Sequence, residues 1–387
     1  MKIAVLTDTY LPTIDGVVNS LITTRKALEN LGHEVFIIAP EDRKNGNPED
    51  PNTIYLRARE LKMYPGYRLA TLLPGKEVRF FREHNFDVIH THGLAVMSAK
   101  GIWVAHTLKL PLVLTFHTMV LDALNWYNPT GLRLGFVEFI TKWWVRYVLH
   151  RCYGVIAPTS AILEELKDLA PKMRMTDIIP TGIDQKRFNP GIDGSRVREK
   201  WGLDGEEVIL HVGRISPEKN LDMLFDAFAS LRKRRDSVKL MVVGMGPAAQ
   251  DCKSCVKEKG ISDDVIFTGF VSDEELPEYY AACDTFAITS TFETQGLVVL
   301  EAMASGKPVA GIRYRAIPEF VKEDVTGYLF DPDDTEGCAD AIEKALDHHD
   351  GIVQNARTMA EGYSIKTCTK KLIDMYERVI AFRKSIG

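Results

Sequence analysis

Short apolar runs recur along the chain, each followed by a polar loop and then by a stretch in which apolar residues return every three or four positions. Ile3-Ala-Val-Leu6 is such a run. The loop Thr7–Gly16 follows, then Val17, Val18, Leu21, Ile22 and Leu28 on one helical face, Gly32 as the stop, and Val35-Phe-Ile-Ile-Ala39 as the next run. The short runs predict buried strands and the spaced residues predict helices. Strand, loop, helix and strand in that order imply parallel pairing through right-handed crossovers, with ligands at the carboxyl ends of the strands. Asp87-Val-Ile-His90, Leu112-Val-Leu-Thr-Phe116 and Val155-Ile-Ala157 continue the series, and Ser160 is placed to cap the helix after the last of these. Val208-Ile-Leu-His-Val212, with Leu221, Leu224, Phe225 and Phe228 behind it, starts the pattern afresh.

Gly131–His150 carries Leu132, Phe136, Phe139, Ile140, Trp143, Trp144 and Tyr147 at helical spacing. The segment is too charged to span a bilayer. It reads first as a core helix packed on the sheet and second as a helix lying at a membrane interface. Residues 338–347 and 364–386 predict two more helices.

Composition adds limits. At 387 residues the chain exceeds the roughly 250–300 residues over which one core keeps growing, so two domains are expected. A formal charge of −5 argues against a general nucleic-acid binder. Six cysteines fit a reduced, cytoplasmic enzyme better than a disulfide scaffold, and Cys252-Lys-Ser-Cys255 lacks the second pair that a metal site would need. No apolar run reaches the roughly 18–20 residues of a membrane span, and Met1–Leu6 reads as a first strand rather than a signal peptide. Residues 54–84 carry a surplus of four positive charges, interleaved with Tyr55, Tyr64, Tyr67, Phe80 and Phe81. That run suits either anionic headgroups or an ordinary solvated face.

The candidate chemistry centres on Thr289–Pro308. Leu297, Val298, Leu300, Ala302 and Met303 predict a short buried helix stopped by Gly306, so its start lies near Thr294-Gln295-Gly296, between two carboxylates, Glu293 and Glu301. Unpaired backbone N–H groups at such a start favour an anion such as phosphate. One carboxylate can then serve each end of an extended polar ligand, which suits a nucleotide sugar. Arg214 and Lys219, on the loop after Val208–Gly213, form a second candidate, a clamp for a diphosphate. Gly244-Met-Gly246 resembles a dinucleotide fingerprint, but no acidic residue stands at the end of a next strand about twenty positions later, where Val265-Ile-Phe-Thr-Gly-Phe270-Val271 comes instead, and this tells against a nicotinamide enzyme. His90, His92 and His117 fall at strand ends. No third ligand at convincing spacing makes His90 and His92 a metal site, so both are assigned to loop or core packing, and Asp331-Pro-Asp333-Asp334 is likewise rejected as a metal motif.

Glu293-x7-Glu301 followed by Ala302-x-Ala304-x-Gly306-x-Pro308 resembles the donor-site signature of retaining, family-4-type glycosyltransferases, and the likeness runs over nearly the whole chain. It implies the GT-B fold: two Rossmann-like, doubly wound α/β domains with a cleft between them and a C-terminal helix crossing back. Residues 1–188 with 365–387 would form the acceptor-side domain and 189–364 the donor domain. The resemblance implies a hexose transferred with retention from a nucleoside-diphosphate sugar, with no metal or other cofactor. Arg214 and Lys219 match its pyrophosphate ligands, and Thr294, Gln295, Gly296 and Leu297 its phosphate-facing turn. Glu293 corresponds to the carboxylate near the sugar and Glu301 to the ribose ligand. Gly269, Phe270 and Val271 match a turn that holds the base, His117 a polar group near donor sugar and acceptor, and Gly16 a first loop in which Asp15 departs from the usual glycine. Thr115-Phe-His-Thr118, Met119 and the loop Asp122–Tyr127 look like the glycolipid synthases of the family. A membrane-lipid acceptor and peripheral association with anionic membrane are therefore expected. Transfer to a soluble sugar or sugar phosphate, a nucleotide-sugar epimerase or phosphorylase, and a noncatalytic binding module are the alternatives.

Overall fold

The computed structural model describes residues 1–11, 13, 16–40, 50–60, 68–71, 77–117, 134–347 and 350–386. Asp15, Lys62, Tyr64, Tyr67, Lys76, Thr118, Met119 and the loop Asp122–Tyr127 lie outside the described residues. The chain divides into two compact units, residues 1–182 with 365–387, and residues 183–364.

In the first unit a parallel sheet runs in the spatial order Thr53–Leu56, Glu34–Pro40, Lys2–Leu6, Val88–Thr91, Leu112–Thr115, Gly154–Ala157, Met175–Ile178. Its central strands are buried on both faces, which is why they read as unbroken apolar runs rather than alternating ones. The order reverses beside Lys2–Leu6. That reversal opens a crevice at the carboxyl ends of Lys2–Leu6 and Val88–Thr91. The helix Ile365–Ser385 belongs to this unit, with Leu372, Met375, Tyr376 and Val379 in its core. A side chain at Gly154 would come within 2.8 Å of Met375 Sδ, so glycine there admits the helix onto the sheet.

In the second unit the order is Val265–Gly269, Val238–Val243, Glu207–Val212, Thr285–Ile288, Val309–Ile312, Tyr328–Phe330, again all parallel. It reverses beside Glu207–Val212. The unit begins at Ile183, before the expected boundary at residue 188, because Ile183 and Phe188 are buried in its core and Ile183 bridges to Ser364.

Four local expectations are corrected. Thr159, not Ser160, occupies the N-cap of the helix Ser160–Leu169. The helix expected over residues 338–347 starts at Thr335, where Asp334 caps it by accepting from the Gly337 amide at 2.9 Å. In the basic run, Phe81 is buried and Phe80 packs against Phe36 and Phe86, so these two aromatics serve the core rather than a docking surface. The helix Leu134–Arg151 is only partly a core helix: Val145, Val148 and Leu149 are buried, whereas Phe136, Phe139, Ile140 and Trp143 are exposed.

Candidate active site

The candidates of the second unit gather at the carboxyl edge of its sheet, where the strand order reverses. After Val212 the chain forms the loop Gly213–Asn220, and it is pinned from two sides. Backbone bonds Gly213 N to Val243 O and Ile215 N to Met245 O, both 3.0 Å, hold it against the Gly244-Met-Gly246 turn. This contact explains the glycines: a side chain at Gly244 would lie 1.9 Å from Gly213 O, and one at Gly246 2.0 Å from Ile215 O. The apparent dinucleotide fingerprint is therefore a loop-packing device. The Gly244 amide donates in turn to Gly269 O at 3.0 Å, which brings the Gly269-Phe270-Val271 turn alongside; Gly269 has φ +74° and Phe270 is exposed.

From the other side Thr289 Oγ1 donates to Lys219 O at 3.0 Å, and Lys219 Nζ donates to Glu293 Oε1 at 2.6 Å. Burial alone would raise the Glu293 carboxyl, but the Lys219 charge and hydrogen bond, with the Ser290 hydroxyl, hold it below the usual range. Glu293 is thus an anion paired with a cation. Arg214 lies exposed on the same loop. Thr294 and Gln295 lead to Gly296, whose φ of +75° lets the chain turn into the helix Leu297–Ala304, and a side chain there would meet Ile317 Cδ1 at 2.9 Å. The first-turn amides of that helix face the direction from which its chain arrives, as an anion site requires.

Two residues of this unit were not read from sequence. His211 is buried between the strands, and its Nδ1 lies 3.1 Å from Ala287 O. A carbonyl only accepts, so the proton sits on Nδ1 and Nε2 is a lone-pair acceptor, buried without a partner among the described residues. Burial pushes this imidazole down to about 4, and both Lys219 and Glu293 act on it. Tyr280 is the other. It donates to Glu301 Oε2 at 2.8 Å, in a pocket so buried that the Glu301 carboxyl is pushed up to about 7, only partly offset by the Tyr280 bond and the Arg187 charge. Glu301 therefore does not join the Lys219–Glu293 pair.

In the first unit His117 is brought to His92, with His117 Nε2 2.8 Å from His92 Nδ1. His92 Nε2 lies 3.2 Å from His90 Nδ1, which meets Tyr376 Oη at 2.7 Å, and His90 Nε2 meets Thr115 Oγ1 at 2.8 Å. The assignment of His90 and His92 to packing thus understates them: they form a buried, hydrogen-bonded chain behind His117. Burial keeps all three neutral, His90 at about 3, His117 at about 4 and His92 well below its ordinary value. Asp8, at the end of the first strand, accepts from the Ala95 and Met97 amides at 3.1 Å and fixes the entry to the helix Val96–Leu108. Gly93 is required beside it, since a side chain would fall 1.9 Å from Asp8 Oδ2. Gly16 starts the helix Gly16–Asn30, and a side chain there would meet nothing within 4 Å.

Residues 14–187 match the family model described as Glycosyltransferase Family 4, and residues 194–361 that described as Glycosyl transferases group 1. The chain is 35% identical over 335 residues to the alpha-monoglucosyldiacylglycerol synthase of Streptococcus pneumoniae, covering 85% of this chain and 75% of the relative. It is 29% identical over 400 residues to a GDP-mannose-dependent alpha-mannosyltransferase of Corynebacterium glutamicum, covering 100% and 91%. Among solved structures, Anabaena HepE in complex with UDP superposes with a TM-score of 0.78 at 23% identity, over 98% of this chain and 100% of that one.

Proposed function

The chain belongs to the GT-B glycosyltransferases, family 4 in its first half and group 1 in its second, and from that premise we propose that it moves a hexose from a nucleoside-diphosphate sugar to the hydroxyl of a membrane lipid with retention of configuration. The observation that carries this reading is the Lys219–Glu293 pair, set between a cationic loop and a helix start at one sheet edge. Arg214, Lys219 and the amides of the Thr294–Leu297 turn take the diphosphate, Gly269–Val271 the base, and Glu301 the ribose hydroxyls. Glu293 stands at the sugar. As the bond to the diphosphate lengthens, negative charge grows on the departing oxygen, and groups already aimed at it lower the barrier; each such donor is worth about 10²–10³ in rate. The departing diphosphate takes the acceptor's proton on the same face of the sugar, which preserves the configuration. Arg214 and Lys219 supply the charge that a metal ion supplies in other transferases, so the site needs no cofactor. His117, in the first unit, orients donor sugar and acceptor hydroxyl, and the open space at Gly16 is left for substrate.

The lipid acceptor rests on the relative named for a glucosylated diacylglycerol, and the soluble alternative on the mannosyltransferase. A membrane-lipid acceptor is met at a membrane surface, and this reading has the enzyme reach it as a peripheral protein on the cytoplasmic face; no helix among the described residues is long and apolar enough to cross a membrane. The test is a panel of nucleotide sugars with diacylglycerol in mixed micelles and, separately, soluble sugars and sugar phosphates. Nucleoside diphosphate release that depends on diacylglycerol, with a hexosyl lipid by mass spectrometry and an axial anomeric linkage by NMR, is expected from an α-linked donor. Product only with a soluble acceptor moves the assignment to the alternative, and conversion of the donor without acceptor points to an epimerase.

A further inference from the structure

The first unit carries a cavity of about 700 Å³ on a face that none of the site residues line. Trp103, Trp144, Tyr147 and Tyr153 contribute rings to its wall, and Lys109, Arg151, Arg174 and Arg383 bring four cations to it; no Asp or Glu lines it. None of the four cations has a carboxylate within ion-pair distance among the described residues. Three of them lie over rings instead, Arg174 4.6 Å and Arg383 5.9 Å from the Tyr153 centroid and Arg151 5.0 Å from that of Tyr147. In a chain of net charge −5, four cations on one wall with no carboxylate lining it make this face locally positive, which favours an anion.

What adjoins the cavity identifies the anion's bearer. Along the helix Leu134–Arg151, Phe136, Phe139, Ile140 and Trp143 stand at i, i+3, i+4 and i+7, and they are 58%, 68%, 47% and 59% exposed. Trp143 and Trp144 both stack on Tyr147, with ring centroids 5.8 and 5.7 Å apart, so the apolar stripe runs through an aromatic shelf into the cationic cavity. Apolar rings followed by amphipathic rings and then cations reproduce the depth profile of a bilayer surface, from acyl chain to phosphate.

We propose that the first unit docks on an anionic glycerophospholipid through this face, with a lipid phosphate in the Lys109, Arg151, Arg174 and Arg383 cavity and the Phe136–Trp143 stripe in the interface. None of the residues assigned to donor or acceptor lines this cavity, and the proposal does not rest on the identity of the acceptor. It also moves membrane attachment from the basic run 54–84 to the helix Leu134–Arg151 and the cations beside it.

The test is sedimentation of the whole protein, without donor or acceptor, on vesicles of phosphatidylcholine alone and of equimolar phosphatidylcholine and phosphatidylglycerol. Binding is expected on the anionic vesicles only, weakened by high salt, with tryptophan emission shifted to shorter wavelength. Arg151→Ala with Arg174→Ala should weaken it by about fivefold per charge, Arg151→Lys with Arg174→Lys should largely restore it, and Trp143→Ser should weaken it on the anionic vesicles at low and at high salt alike. All these side chains are at least partly exposed, so circular dichroism should match wild type. Equal binding to neutral and anionic vesicles, or wild-type binding by the double alanine variant, overturns the proposal. So does displacement from vesicles by millimolar inorganic phosphate, which marks a site for free anions, or a dimer dispersed by Trp143→Ser, which marks the stripe as an interface between two copies.

Discussion

Glu293 Oε1 sits 2.6 Å from Lys219 Nζ, joining loops 74 positions apart and placing an anion and a cation side by side where the order of the second sheet reverses. A pair so placed can act on both halves of a donor, the cation on the phosphate and the anion on the sugar.

Glu293→Gln keeps the shape and removes the charge. Turnover should fall by roughly 10²–10³ while affinity for nucleoside diphosphate, read by calorimetry, stays near wild type. Lys219→Ala should lose both, and should also cost about 1–3 kcal/mol of stability by leaving the Glu293 carboxylate unpaired in a half-buried place. Arg214→Ala, at an exposed position, should lose activity with an unchanged unfolding midpoint. Equal loss of affinity and turnover in Glu293→Gln would show that the carboxylate serves binding rather than chemistry.

The Glu301 carboxyl is held up at about 7 from 4.5 by burial, so the folded state binds its proton more tightly than the unfolded state does. Stability from this group is fully present below about pH 4.5 and is lost as pH rises through about 7, on the order of 3 kcal/mol. Ribose hydroxyls that donate to it need the ionised form. Donor binding should therefore release a proton near neutral pH and tighten as pH rises, and Glu301→Gln should abolish both effects. Calorimetry in two buffers of different ionisation enthalpy reads the proton directly. An unchanged proton count in the variant refutes the assignment.

The three neutral histidines titrate the other way. Their depressed values mean that stability is present above about 6.5 and is lost as pH falls towards 4 and below. Tyr376→Phe removes the bond at the far end of the chain and should cost about 1 kcal/mol in chemical unfolding. His92→Phe, next to His117, should lower turnover by about tenfold or more at unchanged nucleotide affinity. Wild-type rates in His92→Phe would leave His117 independent of its neighbours.

Gly246→Ala places a carbon 2.0 Å from Ile215 O, and the neighbour is backbone, which cannot swing aside. The loop carrying Arg214 and Lys219 must shift, so activity should fall by about 10² or more, as a misplacement on the order of 1 Å commonly causes. Gly16→Ala meets nothing within 4 Å and should fold as wild type. Initial rates and unfolding midpoints of the two variants separate loop packing from substrate space.

The strands and helices were legible because they rest on local spacing, and so were Glu293, Lys219 and the helix start, which lie within two short motifs. The partners of the motif residues were not. Tyr376 lies 286 positions from His90, and only the sheet order and the last helix bring them together. Tyr280 gives no signal of meeting Glu301, since any buried tyrosine has the same sequence surroundings. The helix Leu134–Arg151 was read mainly as core because periodicity reports an apolar face but not what covers it. Phe80 and Phe81 erred in the opposite direction: beside so many arginines they looked displayed, yet Phe36 and Phe86 enclose them.

The helix Ile365–Ser385 supplies Leu372, Met375, Tyr376 and Val379 to the core of a unit whose other residues end at 182. On the ribosome, residues 1–182 therefore emerge lacking part of their own interior, and they must wait while all of 183–364 is made. The second unit, continuous in sequence, can complete its fold first. During that interval the first unit's sheet has an uncovered apolar face, so synthesis rate and chaperone supply should govern the yield of active enzyme more than the stability of the finished protein does.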